Sequence, residues 1–140
     1  MSRNLIWLIS SAAIIGLALF LLIPEATICT YSAKRGVAKA QISNLDSAIQ
    51  SYITNNGGKV PSSLEVLAMP DRNGQTYLRE ATMVPSDPWG NQFFYRPGPN
   101  GITYEVGSYG ADKRPSGDGE DGDISNLSLV EERKKGKSSR

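Results

Sequence analysis

The chain has 140 residues, 39% of them hydrophobic, and a formal net charge of +1, which suits one domain and offers no overall charge to attract nucleic acid. It contains no histidine and a single cysteine, Cys29, so the commonest general base, the commonest zinc ligand and any internal disulfide are all absent. That argues against an enzyme, for no nucleophile or phosphate-cradling loop accompanies the acids that are present.

From Leu5 to Ile23 there is no charged residue, and a helix of that length extends roughly 28 Å, close to the hydrocarbon thickness of a bilayer. A signal peptide would carry a shorter apolar region, of about 7 to 15 residues, ending near a small-x-small site. Here Thr30-Tyr31-Ser32 lies well past the run, and Ile28 before Cys29 does not suit lipoprotein cleavage. Residues 1–31 are therefore expected to form an uncleaved membrane anchor. Arg3 before the run and Lys34, Arg35 and Lys39 after it leave the orientation undecided on charge alone.

Beyond Pro24, Ala38, Ile42, Leu45, Ile49, Tyr52 and Ile53 recur at helical spacing, with Lys39, Ser43, Asp46 and Gln50 between them. A long rod from Leu5 to about Asn55 is predicted, its second half spining a water-exposed domain. Asn55-Asn56-Gly57-Gly58 ends it through a left-handed cap. Ser62 and Glu65 read as a capping box opening a short helix, which Met69-Pro70 breaks. In Ser86-Asp87-Pro88-Trp89-Gly90-Asn91, Asp87 can accept backbone donors two residues on, and Trp89 reads as a core residue at the domain edge. Gln92–Arg96 and Ile102–Val106, separated by Pro97–Gly101, predict an antiparallel hairpin.

The stretch Ser108–Asn126 carries Asp112, Asp118, Glu120, Asp121 and Asp123 among Gly110, Gly117, Gly119 and Gly122. Carboxylates so close repel one another unless a positive charge sits between them. Calcium accepts six to eight oxygens in flexible geometry, and glycine lets carbonyls turn inward to join the carboxylates. A solvated acidic turn is the alternative, and the spacing is not that of an EF-hand. Residues 127–140 hold Glu131 and Glu132 against Arg133, Lys134, Lys135, Lys137 and Arg140. They read as a flexible basic tail, with contact to anionic lipid or an acidic partner as the sharper possibility.

In order of parts the chain resembles the major pseudopilin, protein G, of bacterial type II secretion systems. The resemblance rests on Val60–Leu67 after the long helix, Tyr77-Leu78, Pro85–Asn91, the hairpin, and Ser108–Asp112 running on to Gly119–Asn126. It implies an α+β, type IV pilin-like fold, with a long N-terminal helix packed on a small antiparallel sheet that ends in a calcium loop. Residues 32–126 would be the periplasmic domain of a single-pass inner-membrane protein. The protein would self-associate through its N-terminal helices and meet other secretion-system subunits, as a structural subunit or assembly factor. A membrane-tethered calcium-binding module outside any filament is the alternative. Carried over by position, Asp112, Asp121 and Asp123 would be side-chain ligands, with carbonyls near Tyr109 contributing. Gly122 stands where the family often has a second Asp, and Leu127 where it has tryptophan. The family's leader, ending in Gly and followed by Phe-Thr-Leu-x-Glu, has no match between Met1 and Ile23, and no acid occurs before Glu25.

Overall fold

The computed structural model describes residues 31–72, 74–78 and 83–138, so the expected membrane run from Leu5 to Ile23 lies outside the described residues. Among those residues no helix is long and apolar enough to cross a membrane. The chain divides into two compact units, Met1–Ala33 and Lys34–Arg140; the second holds the fold described below.

Helix α1 (residues 31–55) presents one apolar stripe. Ala38, Ile42, Leu45, Ala48 and Ile49 are all buried, as spacing by three and four residues requires of a helix lying on a core. On its far side Ser47, Ser51 and Thr54 return their hydroxyls to the carbonyls of Ser43, Ser47 and Gln50, four residues back. The helix stops where expected: Gly57 and Gly58 have φ of 68° and 82°, and the Gly58 N–H donates to the Ile53 carbonyl at 2.9 Å, closing the last turn.

The expected capping box does not form. The short helix is a 3-10 turn, Leu64–Ala68, preceded by Ser63 rather than Ser62, and no side chain caps it. Leu64 and Leu67, three apart, are both buried, and a 3-10 helix stacks positions i and i+3 on one side. Glu65 instead takes a hydrogen bond from the Ser63 side chain, which holds its carboxyl below the usual range.

The sheet has three antiparallel strands in the order β1 (Phe94–Pro97), β2 (Tyr104–Ser108), β3 (Ile124–Ser125). The hairpin exists, but both strands lie about two residues later than the sequence suggests. The cause is a wide turn in which the Asn100 side-chain oxygen collects the Ile102 and Thr103 N–H groups and the Thr103 hydroxyl. Ile102 is consequently 66% exposed. Pairing of Phe94 with Gly107 and of Gly107 with Ser125 then fixes the register. A side chain at Gly107 would collide with the Ile124 carbonyl and the Phe94 ring, so the centre of the sheet needs glycine there. Val106 and Ile124 on the sheet meet Ile42, Leu45 and Ile49 of α1 in one core with Leu67, Phe93 and Leu129. Trp89 is partly buried against that core, as expected.

The segment after Asn126 departs from the flexible tail expected of it. Asn126–Ser138 is a helix, α2. Ser125 and Ser128 bond reciprocally at its start, the Ser125 N–H to the Ser128 hydroxyl at 3.0 Å and the Ser128 N–H to the Ser125 hydroxyl at 3.3 Å. Leu129 is buried, and Lys39 of α1 pairs with Glu132 at 2.6 Å. One cap and one apolar anchor suffice to order a segment whose charge alone suggested fraying.

Candidate functional site: an acidic loop braced by a buried carboxylate

The acidic loop leaves the end of β2, and the turn before β1 fixes its first residues. Asp87 is 4% exposed. Its Oδ1 accepts from the Trp89 and Asn91 N–H groups at 3.0 and 2.7 Å, as an Asp two residues ahead of a turn can. Its Oδ2 accepts from the Ser108 hydroxyl at 2.6 Å. The same Ser108 oxygen accepts the Gly110 N–H at 3.0 Å, and the Asn91 amide donates to the Gly110 carbonyl at 2.7 Å. Both backbone groups of Gly110 are thereby held by buried side chains.

From Gly110 the loop folds back on itself. The Ala111 N–H donates to the Glu120 carbonyl at 3.0 Å. Gly110, with φ of 78°, packs so tightly on residues 120 and 121 that a Cβ would strike the Glu120 carbonyl, which is where this loop requires glycine. Arg35 of α1 reaches the far side, donating to the Gly119 and Gly122 carbonyls at 3.1 and 2.9 Å. A guanidinium brings positive charge to the acidic loop, and α1 and the loop become one braced unit.

Asp112 Oδ1 accepts from the Arg114 N–H at 3.0 Å and Asp123 Oδ2 from the Ser116 N–H at 3.1 Å. Each contact engages one oxygen of its carboxylate. Asp121 lies on the short helical turn Gly119–Asp121 and is exposed, its backbone close against Gly110 and Gly117. Tyr109 is turned to the sheet: its ring stacks on Phe94 with centroids 4.5 Å apart, and its hydroxyl accepts from Arg96 at 2.6 Å. Lys113 and Ser116, with φ of 62° and 80°, hold left-handed conformations unfavourable for residues with side chains.

Asp112, Asp121, Asp123 and Tyr109 all stand on this one loop. Among the described residues, however, no three acids converge closely enough to share an ion. The donor chemistry suits a hard cation, since oxygens alone are on offer and one oxygen of Asp112 and one of Asp123 lie outside the hydrogen bonds above. The residues that brace the loop, Ser108, Asn91 and Arg35, escape a search for ligands. Arg35 leaves one trace in the sequence, standing three residues before Ala38 and seven before Ile42 on the core stripe of α1.

A family profile described as type II secretion system (T2SS), protein G, matches residues 28–127. The chain is 32% identical over 134 residues to the type II secretion system core protein G of Pseudomonas aeruginosa, covering 88% of this chain and 92% of that one. It is also 32% identical over 93 residues to the protein of that name from Xanthomonas campestris pv. campestris, covering 65% of this chain and 64% of the relative. The crystal structure of the major pseudopilin from the type 2 secretion system of enterohaemorrhagic Escherichia coli superposes with a TM-score of 0.54 at 22% identity, over 76% of this chain and 97% of that one. Sequence and architecture agree, and the chain belongs to the protein G family of type II secretion systems, the major pseudopilins.

Proposed function

We propose that the protein is a non-enzymatic structural subunit or assembly factor of the type II secretion pseudopilus, its head domain stabilised by calcium. The observation that carries this is the family match across residues 28–127, which takes in α1, the sheet and the acidic loop together. Residues Leu5 to Ile23 would anchor it in the inner membrane as a single span with the head on the periplasmic side, and self-association would run through the N-terminal helices. Supporting a filament role, α1 keeps Ala40, Asn44 and Ser51 exposed on the side away from its own core.

In the loop, Asp112, Asp121 and Asp123 with the Tyr109 carbonyl would hold the ion. Its charge would relieve the repulsion among the loop's acids. At a dissociation constant of about 10⁻⁴ M and about 1 mM external calcium, binding adds about 1.4 kcal/mol by mass action.

Cysteine-pair crosslinking in cells tests the assembly claim. With Cys29→Ser as background and Ala40→Cys combined with Ser51→Cys, a filament subunit gives a ladder of self-linked products that needs the secretion apparatus. A single heterologous adduct and no ladder would instead identify a membrane-tethered interaction module.

A further inference from the structure

The filament role proposed above makes no use of the charge on α2, and the fold determines where that charge lies. Asn126, the first residue of α2, donates to Asp46 of α1 at 3.2 Å. Glu132, six residues on, meets Lys39, seven residues nearer the start of α1, at 2.6 Å. At 1.5 Å per residue these separations are about 9 and 10 Å along the two helices. Helix α2 therefore runs back along α1 in the opposite direction, with Leu129 buried between the two contacts. Past Glu132 it continues to Ser138, carrying Arg133, Lys134, Lys135 and Lys137, all exposed, toward the Lys34 end of α1.

By sequence, Lys34 is eleven residues from Ile23, the last residue of the uncharged run, a distance of at most about 40 Å of extended chain. The basic end of α2 thus lies at the end of α1 that is nearer in sequence to that uncharged run.

We propose that the last two turns of α2 rest on anionic phospholipid headgroups at the surface of the membrane that holds residues 5–23; this rests on the anchor reading above. Residues 131–138 contain no large apolar side chain, so they lack the apolar centre that a protein interface needs. Attraction to headgroup phosphates needs none: each Lys or Arg close to an anionic surface strengthens the contact roughly fivefold. The exposed apolar residues of α2, Leu127 and Val130, lie in its other half. The tether supplies a high local concentration of lipid, so a modest contact is occupied.

The test uses the full chain in lipid nanodiscs, either pure phosphatidylcholine or phosphatidylcholine mixed with phosphatidylglycerol, and reads amide hydrogen exchange across 130–138. Exchange should be about fivefold or more slower in the anionic discs, and the difference should vanish at about 0.5 M salt, where charges are screened within a few ångströms. It should be lost in R133Q/K134Q/K135Q/K137Q and kept in K134R/K135R/K137R, with exchange at Leu129 reporting that α2 still folds. Equal exchange in both discs overturns the inference, and protection that appears only with other secretion subunits assigns the basic end to an acidic protein. A chain that enters neither disc overturns the anchor reading and this inference together.

Discussion

Replacing Asp87 should destabilise the head more than its place in a surface turn suggests. The side chain is 4% exposed and serves three donors: the Trp89 and Asn91 N–H groups and the Ser108 hydroxyl. Asp87→Ala leaves two main-chain donors without a partner, at about 1–3 kcal/mol each. The Ser108 hydroxyl can rotate and recover part of its loss, so the sum is about 3–6 kcal/mol. That is a large share of the roughly 5–15 kcal/mol typical of a domain. Asp87→Asn keeps Oδ1 for both N–H groups but loses charge assistance and the acceptor of the Ser108 hydroxyl, so it should cost less than Asp87→Ala, about 1–3 kcal/mol. Urea titration followed by circular dichroism measures both, with an unchanged slope confirming that stability alone has moved. Hydrogen exchange should also accelerate at Gly110, whose N–H rests on Ser108. A cost below about 1 kcal/mol for Asp87→Ala, or equal costs for the two variants, would refute the bracing role.

Arg35→Ala removes two guanidinium hydrogen bonds to the Gly119 and Gly122 carbonyls. Their partial exposure limits the loss to about 1–2 kcal/mol, and exchange should rise in 117–122 while the hairpin stays protected. Stability should also fall in alkali. Burial pushes the Tyr95 phenol up to about 12 from an ordinary 10.0, helped by Tyr52, and burial followed by the hydrogen bond to Asp46 raises Tyr104 further. The neutral phenols therefore stabilise the fold fully below pH 10.0, and that contribution drains away as pH climbs through the folded values. The urea midpoint should fall above about pH 10 and fall less steeply in Tyr104→Phe; a midpoint flat to pH 12 would contradict this.

Much of the fold is legible in the sequence because simple periodicities carry it. The α1 stripe from Ala38 to Ile49 is buried as its spacing requires, and Gly57-Gly58 ends the helix for the stated conformational reason. The hairpin is legible in kind but not in register, because Asn100 builds the turn from its side chain, an acceptor that strand propensity does not see. Strand β3 is two residues long and exists through its pairing with Gly107 and Ser108, so no local pattern could announce it. Helix α2 was hidden by its charge; the signal lay in Ser125 and Ser128 ahead of Leu129, a cap and an anchor that a count of lysines overlooks. In the acidic loop the sequence displays the carboxylates, whereas the supports are distant in sequence: Asp87 and Asn91 precede Ser108 and Gly110 by about twenty residues, and Arg35 precedes Gly122 by 87. Only the folded chain brings them to the loop.

The role of the loop as an ion site can be decided by one comparison. The head from residue 32 onward should melt about 6 °C higher in about 1 mM calcium than in chelator, the shift that about 1.4 kcal/mol produces in a domain of this size. Asp112→Ala should melt at the same temperature in both. Identical melting of the unaltered head with and without calcium would contradict the site, and would leave the loop held by the protein's own hydrogen bonds, those of Arg35, Asp87 and Asn91 among them.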